Sequence, residues 1–149
     1  MNIYIQALVQ CVFAYLGTVA FALIINVPRR ALNLGGWAGA TGWMVYWVLF
    51  KVGCSIVLAN LLGAFAIGIA AIVFARWRKI PVIVFTIPGL VPLVPGGTAY
   101  EAVRMFVEGQ TDAGIGYLVR VIMVAGAIAV GFMLAQLFGD LTKRRIRLR

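Results

Sequence analysis

The sequence predicts an all-α integral membrane protein with about five transmembrane helices, the fourth of them broken at a Pro/Gly-rich motif. Three observations lead there. Hydrophobic residues make up 64% of the 149 residues and charged residues only 11%, whereas a soluble domain draws about a quarter of its residues from the charged types. Five stretches, residues 1–28, 31–50, 52–75, 80–100 and 121–139, carry no charge and together hold 112 residues; a helical span needs about 20 apolar residues. Four of the five prolines fall between residues 81 and 95, inside one of those stretches. This composition excludes a soluble enzyme, a disordered chain and a disulfide scaffold, and leaves room for one membrane domain.

The first span is expected over residues 3–27. It has no basic residue ahead of its apolar run, and the run is too long for the core of a signal peptide. Pro28, Arg29 and Arg30 end it. The second span, 31–50, is short and irregular. Asn33, Gly35, Gly36, Gly39 and Gly42 fill its first half, and Trp37, Trp43 and Trp47 follow. Gly35 with Gly39, and Gly36 with Ala40, have the spacing that lets another backbone approach closely. Two readings follow: a tightly packed helix, or a bent half-helix lining a cavity.

The third span, 52–75, carries Ser55 and Asn60, and repeats the small-residue spacing at Ala64 and Gly68. Asn60 is costly in lipid without a partner, so it is expected to face the protein interior, as a structural contact or as polar lining of a solute path. Asn33 is a second candidate for such lining.

The fourth span, 80–107, contains Pro88, Gly89, Pro92, Pro95, Gly96 and Gly97. Proline removes a backbone donor and collides with the preceding turn, so a break is expected near residues 95–97. Non-helical backbone is tolerated in a bilayer only where protein or water covers it; this segment is therefore expected in the interior. Thr98 and Glu101 have the spacing of a capping box, which predicts a new helix start beside the break, with its free N–H groups and positive dipole end. The fifth span, 116–139, carries Arg120 near its start and the close-packing pair Ala127 and Gly131. Residues 108–113 read as a surface turn, and residues 143–149 as a basic cytoplasmic tail with Asp140 as a local counter-charge.

The net charge is +9, from 13 Lys+Arg against 4 Asp+Glu. The cations cluster beside apolar runs, at the level of anionic lipid headgroups, so anionic lipids are expected partners and nucleic acid is not. Placing the N-terminus outside puts Arg29, Arg30, Arg76, Arg78, Lys79 and the five tail cations inside, 10 of the 13 basic residues. The bias predicts an N-out, C-in topology. The sequence has no His, and Cys11 and Cys54 lie within apolar runs without CxxC spacing; neither a metal nor a cofactor is expected.

The string at 88–97, followed by Tyr100, resembles the signature of the threonine/serine exporter family. The chain as a whole is similar to the small subunit that corresponds to the C-terminal domain of that family. The resemblance implies a multi-pass protein of the bacterial inner membrane that works with a larger hydrophobic membrane subunit. The implied solutes are threonine and serine, or a dicarboxylate such as succinate in one split branch, with the proton motive force as energy source. The family motif falls on Pro88, Gly89, Pro92, Pro95, Gly96, Gly97 and Tyr100.

The mechanism expected from these features is secondary active export. The N–H groups around residues 97–99 would hold a carboxylate, with Tyr100 adding a hydroxyl. Glu101 is the candidate proton carrier, and Arg120 its neutralising partner or a second anchor for an anionic solute. Glu101 closing a capping box is the plainer alternative. A non-transporting scaffold subunit and a passive channel are rival readings, and a homo-oligomer is the alternative source of the transporter's second half. A membrane enzyme is the weakest, for want of a nucleophile with an adjacent base.

Overall fold

The computed structural model describes residues 2–147, with residues 143–147 described by backbone alone; the side chains of the expected basic tail lie outside the described residues. Six helices follow in order: α1 (Ile3–Ile24), α2 (Arg29–Lys51), α3 (Ile56–Arg78), α4 (Ile83–Leu90), α5 (Gly96–Val107) and α6 (Thr111–Arg147), with a 3₁₀ turn at Val91–Leu93 between α4 and α5. Three helices, α1, α3 and Thr111–Thr142 of α6, are long and apolar enough to cross a membrane. Ile83–Leu93 and Gly96–Val107 together make a fourth if the pair, bent by 53°, is one span. The protein is thus an all-α, multi-span membrane protein. The expected count of about five exceeds this by α2. That helix is 23 residues long, but Asn33, Thr41, its four glycines and its terminal cations dilute its apolarity.

Boundaries shift where local chemistry sets them. The chain turns after α1 through Asn26, at a φ of 58°. α3 starts later than expected, because Gly53 turns at a φ of 94° and Ser55 caps the helix, its Oγ accepting from the Leu58 N–H at 3.3 Å. α6 starts earlier than expected. The turn before it closes within residues 108–110, where the Gln110 N–H donates to the Met105 carbonyl at 2.8 Å.

α2 is a continuous helix with no unwound turn. α1 runs antiparallel to it: the Trp43 indole N–H donates to Gln10 Oε1 at 2.8 Å, and the Tyr15 hydroxyl to Asn33 Oδ1 at 3.0 Å. Gly35, Gly36, Ala38, Gly39, Ala40 and Gly42 are all buried, the small-residue face anticipated from their spacing. α3 is antiparallel to α2, with Gly42 against Ile67 and Gly63 against Tyr46.

α3 and α6, in contrast, run parallel. Gly131 lies against the Leu61 carbonyl, Gly68 against Ala135 and Gly139 against Ile72, so the contacts advance together along both helices. A Cβ at Gly131 would come within 2.9 Å of the Ala64 Cβ, which only glycine avoids. α4 runs parallel to α2, with Pro88 seated over Gly35, and Gly89 lies so close to α3 that a Cβ there would stand 2.9 Å from Ile67 Cγ2. Two core clusters result. Ala31, Ala71, Ala75, Ile80 and Phe85 pack at the α3–α4 turn; Ala64, Ile67, Leu93, Val124 and Ile128 pack beneath the break.

Candidate functional site

The break is built by prolines in sequence. Pro88 lies within α4, and Pro92 sits in the 3₁₀ turn. Val94 is extended, at φ −61° and ψ 127°, as a residue before proline prefers. Pro95 stands at the N-cap of α5. The helix therefore restarts at Gly96, and the chain is interrupted at Val94 and Pro95, the leading edge of the expected break.

This early restart overturns the capping box. Thr98 falls inside the first turn of α5 and cannot act as its N-cap, and no side chain caps the helix. Glu101 instead faces Arg104, at 3.8 Å, and Arg104 is held more closely by Glu108 at 2.8 Å. At the start of α5 the Ala99 N–H makes the first i to i−4 bond, to the Pro95 carbonyl at 2.9 Å, and the Gly96 N–H folds back to Val94 at 2.8 Å. Among the described residues, the Gly97 and Thr98 N–H groups have no backbone acceptor, as is true of the first donors of any uncapped helix.

Gly97 and Thr98 border a cavity of about 240 Å³. Its walls come from α2 (Trp43, Tyr46), α3 (Ile56, Asn60), the break (Pro92, Leu93, Val94, Pro95), α5 (Gly97, Thr98) and α6 (Arg120, Val124). Asn60 is 5% exposed and its carboxamide N–H donates to the Ile56 carbonyl at 2.8 Å. Trp43 and Tyr46 stand one helical turn apart with ring centroids 5.1 Å from each other. Arg120 also borders a neighbouring cleft formed by Ala113, Gly116 and Tyr117. Among the described residues it has no ion-pair partner, and no acidic side chain lines the cavity.

The structure thus brings Asn60, Pro92, Pro95, Gly97, Thr98 and Arg120 together. It does not bring the other expected residues to this wall. Pro88 and Gly89 are buried in the packing of α4. No atom lies within 4 Å of where a Gly96 Cβ would sit. Tyr100 is 67% exposed, and Glu101 stands beside Arg104 rather than Arg120. Asn33 is bound to Tyr15, in the first half of α2, away from the break. Trp43 and Tyr46 were the residues that sequence reading missed as lining; their three-residue spacing on α2, on one helical face, was the available signal.

A family model described as Threonine/Serine exporter, ThrE, matches residues 10–138. No solved structure matches the chain. The chain belongs to the threonine/serine exporter family, which is a family of transporters, and it is not an enzyme.

Proposed function

With that membership as premise, we propose that the chain is a subunit of a secondary active exporter of small carboxylate-bearing metabolites, threonine and serine first among them. It works with a larger hydrophobic membrane subunit in the bacterial inner membrane, driven by the proton gradient. One observation carries the solute class: Arg120 and the uncapped start of α5 meet on a single cavity whose wall has no acidic side chain. A guanidinium binds a carboxylate through paired N–H groups, and the first N–H groups of a helix add two more donors with a favourable dipole. The faces of Trp43 and Tyr46 are suited to an ammonium group. A volume of about 240 Å³ is below the ~300 Å³ at which pockets for drug-sized ligands begin, the scale of a metabolite.

The parallel run of α3 and α6 supports a complete crossing by α4 and α5 together. α3 ends where α4 begins, and α6 must start at the opposite end to run alongside α3. With α2 held among α1, α3 and α4, this supports the reading of five crossings. The distribution of Arg29, Arg30, Arg76, Arg78 and Lys79 favours N-out, C-in, with the cavity in the outer half.

The acid-free wall also favours a second reading, a dicarboxylate such as succinate. The test is export from cells lacking native exporters, loaded with labelled threonine, serine or succinate. The chain is expressed alone and with the larger subunit. Export that needs both chains and opposes the gradient supports the proposal, and the labelled solute that leaves identifies the class. Full export by the larger subunit alone would reduce this chain to a scaffold. Export that stops at equilibrium would make it part of a channel.

A further inference from the structure

A second cavity lies at the other end of the bundle. Along α3, Arg76 is 16 residues beyond Asn60, and along α6 Gln136 is 16 residues beyond Arg120, a separation of about 24 Å at the helical rise. The cavity measures about 420 Å³ and lies between the α3–α4 turn and the end of α6. Arg76, Lys79, Gln136 and Asp140 supply its polar groups.

We propose that this cleft holds a phospholipid whose headgroup carries a primary ammonium, as in phosphatidylethanolamine. Opposite charges share the cleft without neutralising one another. Neither Arg76 nor Lys79 comes within 4.0 Å of the Asp140 carboxylate, the ion pairs among the described residues being those of Arg104. Arg76 is fixed in the wall by donating to the Gly139 carbonyl at 2.7 Å, and its remaining N–H groups are available. Lys79 is set by the left-handed C-cap of α3, at a φ of 54°. A dipolar headgroup spans this arrangement, with its phosphate on the two cations and its ammonium meeting Asp140 in competition with Lys143 and Arg144, three and four residues beyond it in sequence.

Two further features select a lipid over a dissolved zwitterion. Trp77 is 68% exposed and carries the Arg78 guanidinium 4.9 Å from its ring centroid; an aromatic–cation pair of this kind belongs at the headgroup level. The rest of the cleft is apolar, with Ile72, Ile80 and Val82 on its wall. α4 and α6 both pack on α3 without extensive contact with each other, so the cleft opens sideways, toward acyl chains.

The test is native mass spectrometry of the purified full chain, titrated with phosphatidylethanolamine, phosphatidylcholine and phosphatidylglycerol of identical acyl chains. The ethanolamine lipid should be retained roughly tenfold better than the choline lipid, the effect of one charge-assisted hydrogen bond. Asp140→Asn should abolish that preference, Asp140→Glu should keep it, and Lys79→Gln should weaken all three lipids while circular dichroism stays unchanged. Equal retention of the ethanolamine and choline lipids by the unaltered protein would overturn the proposal. So would a phosphatidylglycerol preference insensitive to Asp140→Asn, which describes a basic surface only, or displacement of the lipid by threonine or serine, which describes a solute site.

Discussion

Arg120 on α6 and Gly97 at the start of α5 line the same cavity, although a full helix and a turn separate them in sequence. One is a cation and the other belongs to the uncapped first turn of a helix. Their convergence is what distinguishes this cavity from a packing defect, which would be lined by apolar groups alone.

Replacement of Arg120 should therefore act on solute affinity. Arg120→Gln is expected to raise the half-saturating solute concentration by about 10- to 100-fold, the range for a hydrogen bond to a charged group. Arg120→Lys should recover part of the loss, since an ammonium keeps the charge but not the paired geometry. Initial export rates over a range of internal solute concentrations, at matched expression, measure both.

Glu101→Gln is expected to leave the rate and its pH dependence unchanged. Its carboxylate meets Arg104 at 3.8 Å at an accessible site and does not border the cavity. Export rates in vesicles at a series of external pH values provide the check. A collapse of proton dependence in a well-expressed variant would return Glu101 to the coupling path.

The aromatic pair should discriminate between solutes. Trp43→Leu is expected to weaken threonine several-fold, about the worth of one desolvated cation–π contact, and to spare succinate. Trp43→Phe keeps a π face but loses the bond to Gln10, so it separates the ring from the indole N–H. Competition of unlabelled threonine and succinate against a labelled solute would measure the ratio.

Gly131 and Gly96 should behave oppositely. Gly131→Ala places a methyl against the Leu61 carbonyl and the Ala64 methyl, and overpacking of this kind costs about 1–3 kcal/mol. Gly96→Ala meets nothing within 4 Å and should be stable. Thermal unfolding in detergent measures the difference.

The features legible in the sequence were those written in a repeating local code. The uncharged runs mark the helices, α2 being the one too weakly apolar to count as a span by itself, and the small-residue spacing marks close-packing faces without naming their partner; Ala64, Gly68 and Gly131 prove to lie between α3 and α6. The proline cluster foretells the break to within two residues. The capping box failed because its spacing arises wherever Thr and Glu stand three apart, while the actual start of α5 was decided upstream, by the backbone of Val94 and Pro95. Trp43 stands out in the sequence as an aromatic on a glycine-rich helix, and Tyr46 does not, because neither spacing nor composition says what that face of α2 will meet. Only the arrival of α6 turns that face of α2 into a cavity wall. The separation of Glu101 from Arg120 has the same origin, since it depends on which way α5 is rotated about its axis.

The modest apolarity of α2 bears on how the protein is made. A helix with four glycines, Asn33 and Thr41 partitions poorly into hydrocarbon by itself. Among the described residues, its side-chain hydrogen bonds to another helix, from the Trp43 indole N–H to Gln10 and from the Tyr15 hydroxyl to Asn33, are both with α1. As a span, α2 is expected to enter the bilayer as the second arm of a hairpin with α1, each arm shielding the polar groups of the other during biosynthesis. A ribosome-bound chain stalled before α1 can be met by α2 would then hold only one integrated segment.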